Sequence, residues 1–250
     1  MSIRLANIGK SFGARTILAD LSLEVQDGET VAVIGTSGVG KSVMLKAIVR
    51  LLEPDHGSVH VDGVNVADLS KPELYDLRRR VGYVFQFAAL FDSMSVLDNV
   101  AMGLRRMATM TEAEIQARVE QSLALVEMQG YDDRMPGQLS GGQRKRVGLA
   151  RAIATHPKYL LYDEPTTGLD PVTTAVIDGL IMKMRNELGV TSIVVTHDMK
   201  SAYRIADRIA MLYGGRIRYA GTPAEIQECD DAVVRAFIEG RPELAQEVVV

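Results

Sequence analysis

Cysteine is nearly absent from this sequence of 250 residues, and long apolar runs are missing. The single cysteine, Cys229, excludes an intramolecular disulfide and suits a reducing compartment. No run of about 18 apolar residues occurs and the first residues contain no apolar signal segment, so we expect neither a membrane-spanning helix nor a secretory signal. The net charge of −4 argues against a general nucleic-acid binder. These absences predict a soluble, slightly acidic cytoplasmic protein.

Short β-type runs alternate with helical patterns along the chain. Thr30–Ile34 is a nearly continuous apolar run, typical of a strand buried on both faces of a parallel sheet. A helix is predicted over 42–52, and further strands are predicted over 81–85, 159–162 and 192–195. This alternation predicts an α/β fold with a mostly parallel sheet.

Other stretches depart from that alternation. Edge strands are predicted over 3–8 and 21–25, and hairpins over 59–66 and 209–219, which together give an antiparallel β edge. Between residues 87 and 155 the β signal disappears and helical periodicity replaces it.

We therefore predict a single domain over residues 1–250. Its α/β core spans 1–86 and 156–220, an inserted α-helical lobe spans 87–155, and a helical tail spans 221–250. The tail carries the apolar residues Val233, Val234, Phe237 and Ile238. The favoured interpretation is that they pack on the core of the chain itself, and the alternative is contact with a partner.

A glycine-rich segment lies between a predicted strand and a predicted helix. It fits the phosphate-binding pattern G-x-x-x-x-G-K-[ST] with Gly35, Thr36, Ser37, Gly38, Val39, Gly40, Lys41 and Ser42. The glycines let backbone N–H groups point at phosphate oxygens, and the helix N-terminus adds partial positive charge. Lys41 is expected to reach the β- and γ-phosphates, and the Ser42 hydroxyl to ligate Mg²⁺. The alternative is a glycine-rich turn with a solvated lysine.

The apolar strand over 159–162 ends in two carboxylates, Asp163 and Glu164. Ligands bind at the carboxyl edge of a parallel sheet. Asp163 is therefore expected to hold Mg²⁺, and Glu164 to orient and deprotonate an attacking water. Taken alone, the pair also fits an exposed acidic strand end, but the phosphate-binding loop favours the catalytic interpretation.

A second glycine segment precedes a helix rich in Arg and Lys. It consists of Leu139, Ser140, Gly141, Gly142 and Gln143. The Ser140-x-x-Gln143 spacing predicts a capping box, and the glycines expose backbone N–H groups at a helix N-terminus that suits phosphate. A flexible glycine loop is the alternative.

Together these motifs resemble the ATP-binding subunits of ABC transporters, over about residues 1–225. The resemblance implies a P-loop NTPase core of RecA-like fold, with ATP and Mg²⁺ as cofactors and ATP hydrolysis as the reaction. Residues 139–143 match the signature motif of that family. Gln86 matches the Q-loop glutamine, implied to be catalytic and a Mg²⁺ ligand, and His197 matches the catalytic switch histidine.

The resemblance extends to further ATP-binding positions. Asp170 matches the D-loop aspartate, which the following Pro171 also makes a predicted helix cap. Phe12 matches the aromatic residue that stacks on adenine, although a core aromatic is the alternative. Val43 follows the Mg²⁺-binding hydroxyl at a position where most members have Thr.

Looser patterns are similar to the Mla type of lipid-transport ATPase. They include Met44-Leu45-Lys46, Gly57, the segment 85–96 with Asp92 where more typical importers have Pro, and the tail from Gly221 to Gly240. The resemblance implies a homodimer with ATP between the P-loop of one chain and the signature of the other. It also implies an integral-membrane permease, a STAS-domain accessory protein, a periplasmic lipid-binding ring, and a place on the cytoplasmic face of the inner membrane of a diderm bacterium.

The same residues leave three alternative functions open. The first is another ABC importer, for an amino acid or other small solute. The second is a soluble ABC protein of translation or DNA maintenance, which the single cassette and the negative charge disfavour. The third is a non-hydrolysing scaffold, which Glu164 and His197 disfavour.

Overall fold

The computed structural model describes residues 2–241, so the end of the predicted tail, 242–250, lies outside the described residues. The strands are β1 Ile3–Phe12, β2 Arg15–Val25, β3 Thr30–Ile34, β4 His56–Val61, β5 Val64–Asn65, β6 Val81–Val84, β7 Tyr159–Asp163, β8 Thr191–Thr196, β9 Arg208–Tyr213 and β10 Arg216–Gly221. The helices are α1 Lys41–Ile48, α2 Lys71–Arg79, α3 Val96–Met107, α4 Glu112–Leu125, α5 Gly141–Ile153, α6 Pro171–Leu188, α7 Met199–Ile205, α8 Pro223–Gln227 and α9 Ala232–Glu239.

The chain forms two compact units. The first unit comprises residues up to 74 and from 193 onward, and the second comprises residues 75–192. The predicted helical lobe lies within the second unit, together with β6, β7 and α6. The finer subdivision at 87 and 155 stays a prediction.

Two sheets shape the first unit. One is antiparallel, with the order β2-β1-β4-β5, and gives the predicted β edge. In the other, β3 lies between β9 and β8, pairs parallel with β9, and β9 pairs antiparallel with β10. All five residues of β3 are buried, as its nearly continuous apolar run predicts. The predicted α/β class with a mixed sheet is confirmed.

Two predicted boundaries in the first unit were wrong. The helix predicted over 42–52 ends at Ile48, because Val49 leaves helical geometry and Arg50 has φ 50°. The edge strands extend well beyond 3–8 and 21–25. Register shifts in β1 near the left-handed Asn7 break the alternation of apolar residues that marks a strand.

In the second unit, β6 and β7 pair in parallel, and α3, α4 and α5 pack on one another. The buried apolar residues of these helices include Val100, Leu104, Val119, Leu123 and Val147. The capping box predicted at Thr111 and Glu114 is present at the start of α4.

The described part of the tail packs on the chain itself. Val233 and Val234 of α9 are buried in one cluster with Ala32 of β3 and Ile209 of β9, and Phe237 packs against that cluster. The favoured prediction, packing on the chain's own core, is therefore confirmed for these residues. None of the helices within residues 2–241 combines the length and apolarity that a membrane-spanning helix needs.

Candidate functional site

The phosphate-binding loop connects β3 to α1 in the first unit. Gly35, Gly38 and Gly40 have φ values of 151°, 77° and 113°. These conformations favour glycine, and a Cβ on Gly35 would lie only 2.5 Å from the Leu212 carbonyl oxygen. The N-cap of α1 is Gly40, which offers no side-chain hydrogen bond. The first N–H groups of α1 therefore suit an anionic ligand.

The side chain of Lys41 folds back across this loop. Its ammonium donates hydrogen bonds to the carbonyl oxygens of Gly35 at 2.8 Å and Thr36 at 3.1 Å, and the residue is 5% exposed. A buried cation at the N-terminus of a helix fits the charge of a polyphosphate. Ser42, next in the helix, places a hydroxyl at the same helix terminus, and such oxygens suit Mg²⁺.

Two more predicted residues lie in the first unit. Phe12 is the last residue of β1 and is half exposed, with the ammonium of Lys10 at 5.7 Å from its ring centroid. The core-aromatic alternative is therefore wrong for Phe12. His197 is exposed and directly follows β8, which neighbours β3 in the sheet. The next residue, Asp198, caps α7.

The acidic strand end lies in the second unit. Val84 of β6 pairs with Tyr162 of β7 in parallel, so Asp163, the last residue of β7, and Gln86, which follows β6, lie at the same end of neighbouring strands. Asp163 is 6% exposed and accepts a hydrogen bond from the Tyr83 hydroxyl at 3.1 Å. The alternative of an exposed acidic pair is therefore wrong for Asp163.

Glu164 has an unusual backbone. Its φ of 51° is left-handed, which costs a non-glycine residue about 1–3 kcal/mol. Its side chain accepts a hydrogen bond from Thr167 Oγ1 at 2.7 Å, and its carbonyl accepts one from Thr167 N at 3.3 Å. Such strain collects at functional sites, where the neighbouring structure holds it.

The signature segment begins α5. Ser140 is the N-cap and accepts a hydrogen bond from Gln143 N at 3.2 Å, while Gln143 Oε1 accepts one from Ser140 N at 2.9 Å. This is the predicted capping box, so the flexible-loop alternative is wrong. Gly141 and Gly142 form the first turn, and a Cβ on Gly142 would lie 2.6 Å from Thr173 Cγ2. The glycine therefore allows α5 and α6 to approach closely.

Asp170 caps α6, as predicted. Its carboxylate accepts hydrogen bonds from Val172 N, Thr173 N and the Thr173 hydroxyl at 2.9, 3.0 and 2.5 Å. These bonds lower the pKa of Asp170, the Thr173 hydroxyl most of all. Thr173 therefore bonds the cap residue of α6 and also lies close to Gly142 in the first turn of α5. The N-termini of these two helices pack together within the second unit.

A protein-family comparison decides which family carries these motifs. A model described as "ABC transporter" matches residues 18–167, more than half of the chain. The chain belongs to the ABC transporter family. The cassette is an ATPase coupled to transport, and it binds ATP with Mg²⁺.

Curated relatives of this cassette are transport ATP-binding proteins. The probable ribonucleotide transport ATP-binding protein mkl of Mycobacterium tuberculosis is 41% identical over 241 residues, which are 96% of this chain and 67% of the relative. The sulfate/thiosulfate import ATP-binding protein CysA of Halalkalibacterium halodurans is 42% identical over 231 residues, 91% of this chain and 63% of the relative.

Solved structures agree with the fold. A dimeric ATP-binding cassette in a post-hydrolysis state with ADP and Pi is 35% identical, with a TM-score of 0.81 over 88% of this chain and 98% of that chain. The cbiO1 protein of Clostridium perfringens, part of the ABC transporter complex cbiONQ, is 29% identical, with a TM-score of 0.83 over 99% and 98% of the two chains.

Sequence reasoning gave no individual role to two residues beside the predicted site of the cassette. Tyr83 lies in a strand predicted from its apolar pattern, and Lys145 lies in a run of basic residues on the helix after the signature. Burial and the Asp163 carboxylate raise the pKa of the Tyr83 phenol above its usual range, so it remains a hydrogen-bond donor. Lys145 is buried and contacts the main chain at Gln86 and Glu164. The signal for Lys145 is its spacing on α5, where Leu149 and Ile153 follow it at intervals of four residues and share its buried side.

Proposed function

We propose that this ATPase cassette powers transport of glycerophospholipids between the two membranes of a diderm bacterium. It would do so on the cytoplasmic face of the inner membrane, bound to an integral-membrane permease. The observation that carries the lipid assignment is the segment after Gln86, where Asp92 replaces the Pro of more typical importers and residues 85–96 follow the Mla pattern. A STAS-domain protein and a periplasmic lipid-binding ring complete the proposed complex.

The geometry of that segment supports a permease contact. Asn99, fully buried on α3, accepts a hydrogen bond from Phe91 N at 2.8 Å and donates to the carbonyls of Phe91, Met94 and Ser95. These bonds hold the main chain of the loop at Phe91, Met94 and Ser95. The Phe91 ring is 48% exposed, and Phe87, earlier in the segment, is 81% exposed. An exposed aromatic side chain on a loop whose main chain is held, as at Phe91, is suited to insertion into a partner surface.

Two copies of the cassette would share their ATP. In this proposal Phe12 stacks on adenine, residues 35–43 hold the phosphates, and the signature of the other copy, residues 140–143, contacts the same nucleotide. Asp170 caps α6, and α6 packs on α5, the helix that begins with the signature. Asp170 would therefore lie beside the contact between the signature and the nucleotide. One P-loop and one signature per chain support a two-fold dimer.

The catalytic roles in this proposal are those that the resemblance to the family implies. Ser42, Gln86 and Asp163 would hold Mg²⁺, which would neutralise charge on the transferred phosphoryl group. Lys41 would contact the β- and γ-phosphates, Glu164 would activate water, and His197 would contact the γ-phosphate side. The oxygen-rich donor set fits Mg²⁺.

Import of a small solute is the second candidate. The names of mkl and CysA favour it, since they refer to ribonucleotide and to sulfate or thiosulfate transport. Those names concern the relatives, and both relatives extend well beyond the matched region. The two functions differ in the cargo that an assembled complex carries.

An assembled complex tests the proposal. A tagged chain is purified from membranes with its partners, and the complex is reconstituted into liposomes that contain fluorescent glycerophospholipid. We expect ATP-dependent movement of the lipid and none with a Glu164→Gln complex. Stimulation of ATPase activity by sulfate or ribonucleotide, without lipid movement, would establish the second candidate instead.

A further inference from the structure

A buried lysine lies beside residues that we assign to catalysis. Lys145 belongs to the second turn of α5 and is 6% exposed. Its ammonium donates a hydrogen bond to the carbonyl oxygen of Gln86, and a second to that of Glu164 at 3.4 Å. One side chain therefore contacts the main chain at a proposed Mg²⁺ ligand and at the proposed base.

The charge and burial of Lys145 make the loss of either of its two hydrogen bonds unfavourable. Burial lowers the pKa of Lys145, whereas the carboxylates of Glu164 and Asp163 favour its charged form. A buried ammonium needs acceptors, and charge-assisted hydrogen bonds are stronger than neutral ones. Displacement of either carbonyl would leave this cation poorly solvated.

The same face of α5 also holds the segment that follows β6. Lys145, Gly148 and Arg151 recur every three residues, so they share one side of the helix. The Arg151 guanidinium donates to the carbonyls of Ala88 and Ala89, both at 2.6 Å. A Cβ on Gly148 would lie 3.2 Å from Ala88 Cβ, so the backbone approaches α5 closely there.

Glu164 is held from another direction. Thr167 binds both its carbonyl and its carboxylate, and the backbone of Glu164 is left-handed. A left-handed glutamate persists only where neighbouring groups fix it. Lys145 is the group that joins this fixed turn to the carbonyl of Gln86.

We propose that Lys145 is a positioning residue for ATP hydrolysis, which sets the main chain of Gln86 and of Glu164 relative to the signature helix. This rests on the proposed roles of Gln86 and Glu164. Because α5 begins directly after Ser140, a shift of the signature segment would move α5 and Lys145 with it. Lys145 would pass that shift to the main chain of both Gln86 and Glu164. Lys145 itself does not contact substrate in this proposal.

The test uses the full-length chain and two substitutions of one residue. Lys145→Met keeps the length of the side chain but removes both hydrogen bonds, whereas Lys145→Gln retains one N–H donor. The matched control is Arg146→Met, which removes the neighbouring cation on α5 and its ion pair with Glu127. Each variant is assayed for kcat and KM of MgATP, for Kd of a non-hydrolysable ATP analogue, and for Tm.

We expect Lys145→Met to lower kcat by about 10- to 100-fold, since small displacements of reacting groups have effects of that size. The Kd should stay at the wild-type value, Lys145→Gln should recover part of kcat, and Arg146→Met should show no loss. Wild-type kcat in Lys145→Met would overturn the proposal, and so would equal losses in the Met and Gln variants. A fall in Tm together with a rise in Kd that accounts for the loss would establish a merely structural role.

A parallel Glu164→Gln arm separates this proposal from its premise. If Glu164→Gln abolishes hydrolysis and Lys145→Met does not, the Lys145 proposal alone is wrong. If Glu164→Gln hydrolyses ATP normally, Glu164 is not the base. The Lys145 proposal, which depends on that role, is then wrong as well. Should Lys145→Met not fold, Lys145→Gln carries the test, with reduced kcat at unchanged Kd and Tm as the expected result and unchanged kcat as the refuting one.

Discussion

The hydroxyl of Tyr83 donates a hydrogen bond to Asp163 Oδ2 over 3.1 Å, between the neighbouring parallel strands β6 and β7. The Tyr83 ring also lies 4.5 Å from the ring of Phe85, measured between centroids. The phenol is thus braced by packing as well as by the carboxylate. It orients the side chain that we assign to Mg²⁺.

Replacement of Tyr83 by Phe should weaken the use of Mg²⁺ more than the binding of nucleotide. The change keeps the ring but removes the hydroxyl that orients Asp163, and loss of such a partner lowers metal affinity by about 10-fold or more. The measurement is the Mg²⁺ concentration that gives half-maximal ATPase activity, with ATP saturating. Tyr75→Phe, on the exposed surface of α2, is the control. An unchanged half-maximal concentration in Tyr83→Phe would show that the hydroxyl does not orient the metal ligand.

Local sequence predicts the turns and caps of the candidate site, because each motif is contiguous in the chain. The loop 35–42 lies between the buried strand and the helix that its pattern demands, and the caps at Ser140 and Asp170 are as predicted. Contacts over long chain separations were not predictable. Tyr83 meets Asp163 across 80 positions and Lys145 meets Gln86 across 59, and no local periodicity encodes either pairing.

Glu164→Gln should abolish turnover and preserve binding. The amide keeps the size of the side chain but cannot accept the proton of water, and loss of a positioned base lowers rates by about 10²–10⁴-fold. Single-turnover hydrolysis and size-exclusion chromatography with ATP check this, and we expect ATP to trap a closed dimer. Glu187→Gln on α6 serves as the control. Near-normal turnover in Glu164→Gln would exclude this residue as the base.

Lys41→Ala should impair nucleotide binding itself. The ammonium is buried within the phosphate-binding loop. Its loss removes charged hydrogen bonds worth about 1.5–3 kcal/mol, so affinity should fall by about 10- to 100-fold. Calorimetric titration with ATP measures this directly. The exposed Lys46 on the same helix provides the control Lys46→Ala, and equal affinities of the two variants would contradict the assignment of the loop.

Ser140→Arg should prevent closure of the dimer but allow ATP to bind to each monomer. A long side chain at the signature N-cap would occupy the space that the partner's ATP needs. The assay is ATP-dependent dimerisation in a Glu164→Gln background. Thr111→Arg changes the N-cap of α4, which has the same capping box, and so controls for loss of the cap alone. A closed dimer that survives Ser140→Arg would exclude a nucleotide shared between the two copies.

Phe237→Ala should lower the stability of the isolated chain. Phe237 packs against a cluster that contains Ala32 and Val234, so α9 stabilises the sheet that carries the phosphate-binding loop. Because the ring is only partly buried, we expect a loss of about 1.5 kcal/mol, or about 3–6 °C in Tm. Phe87→Ala, which truncates a ring that is 81% exposed, should leave Tm unchanged. Calorimetry of the purified chain checks both values. An unaltered Tm in Phe237→Ala, with loss of a subunit from the purified complex, would mean that this ring serves a partner and not the core.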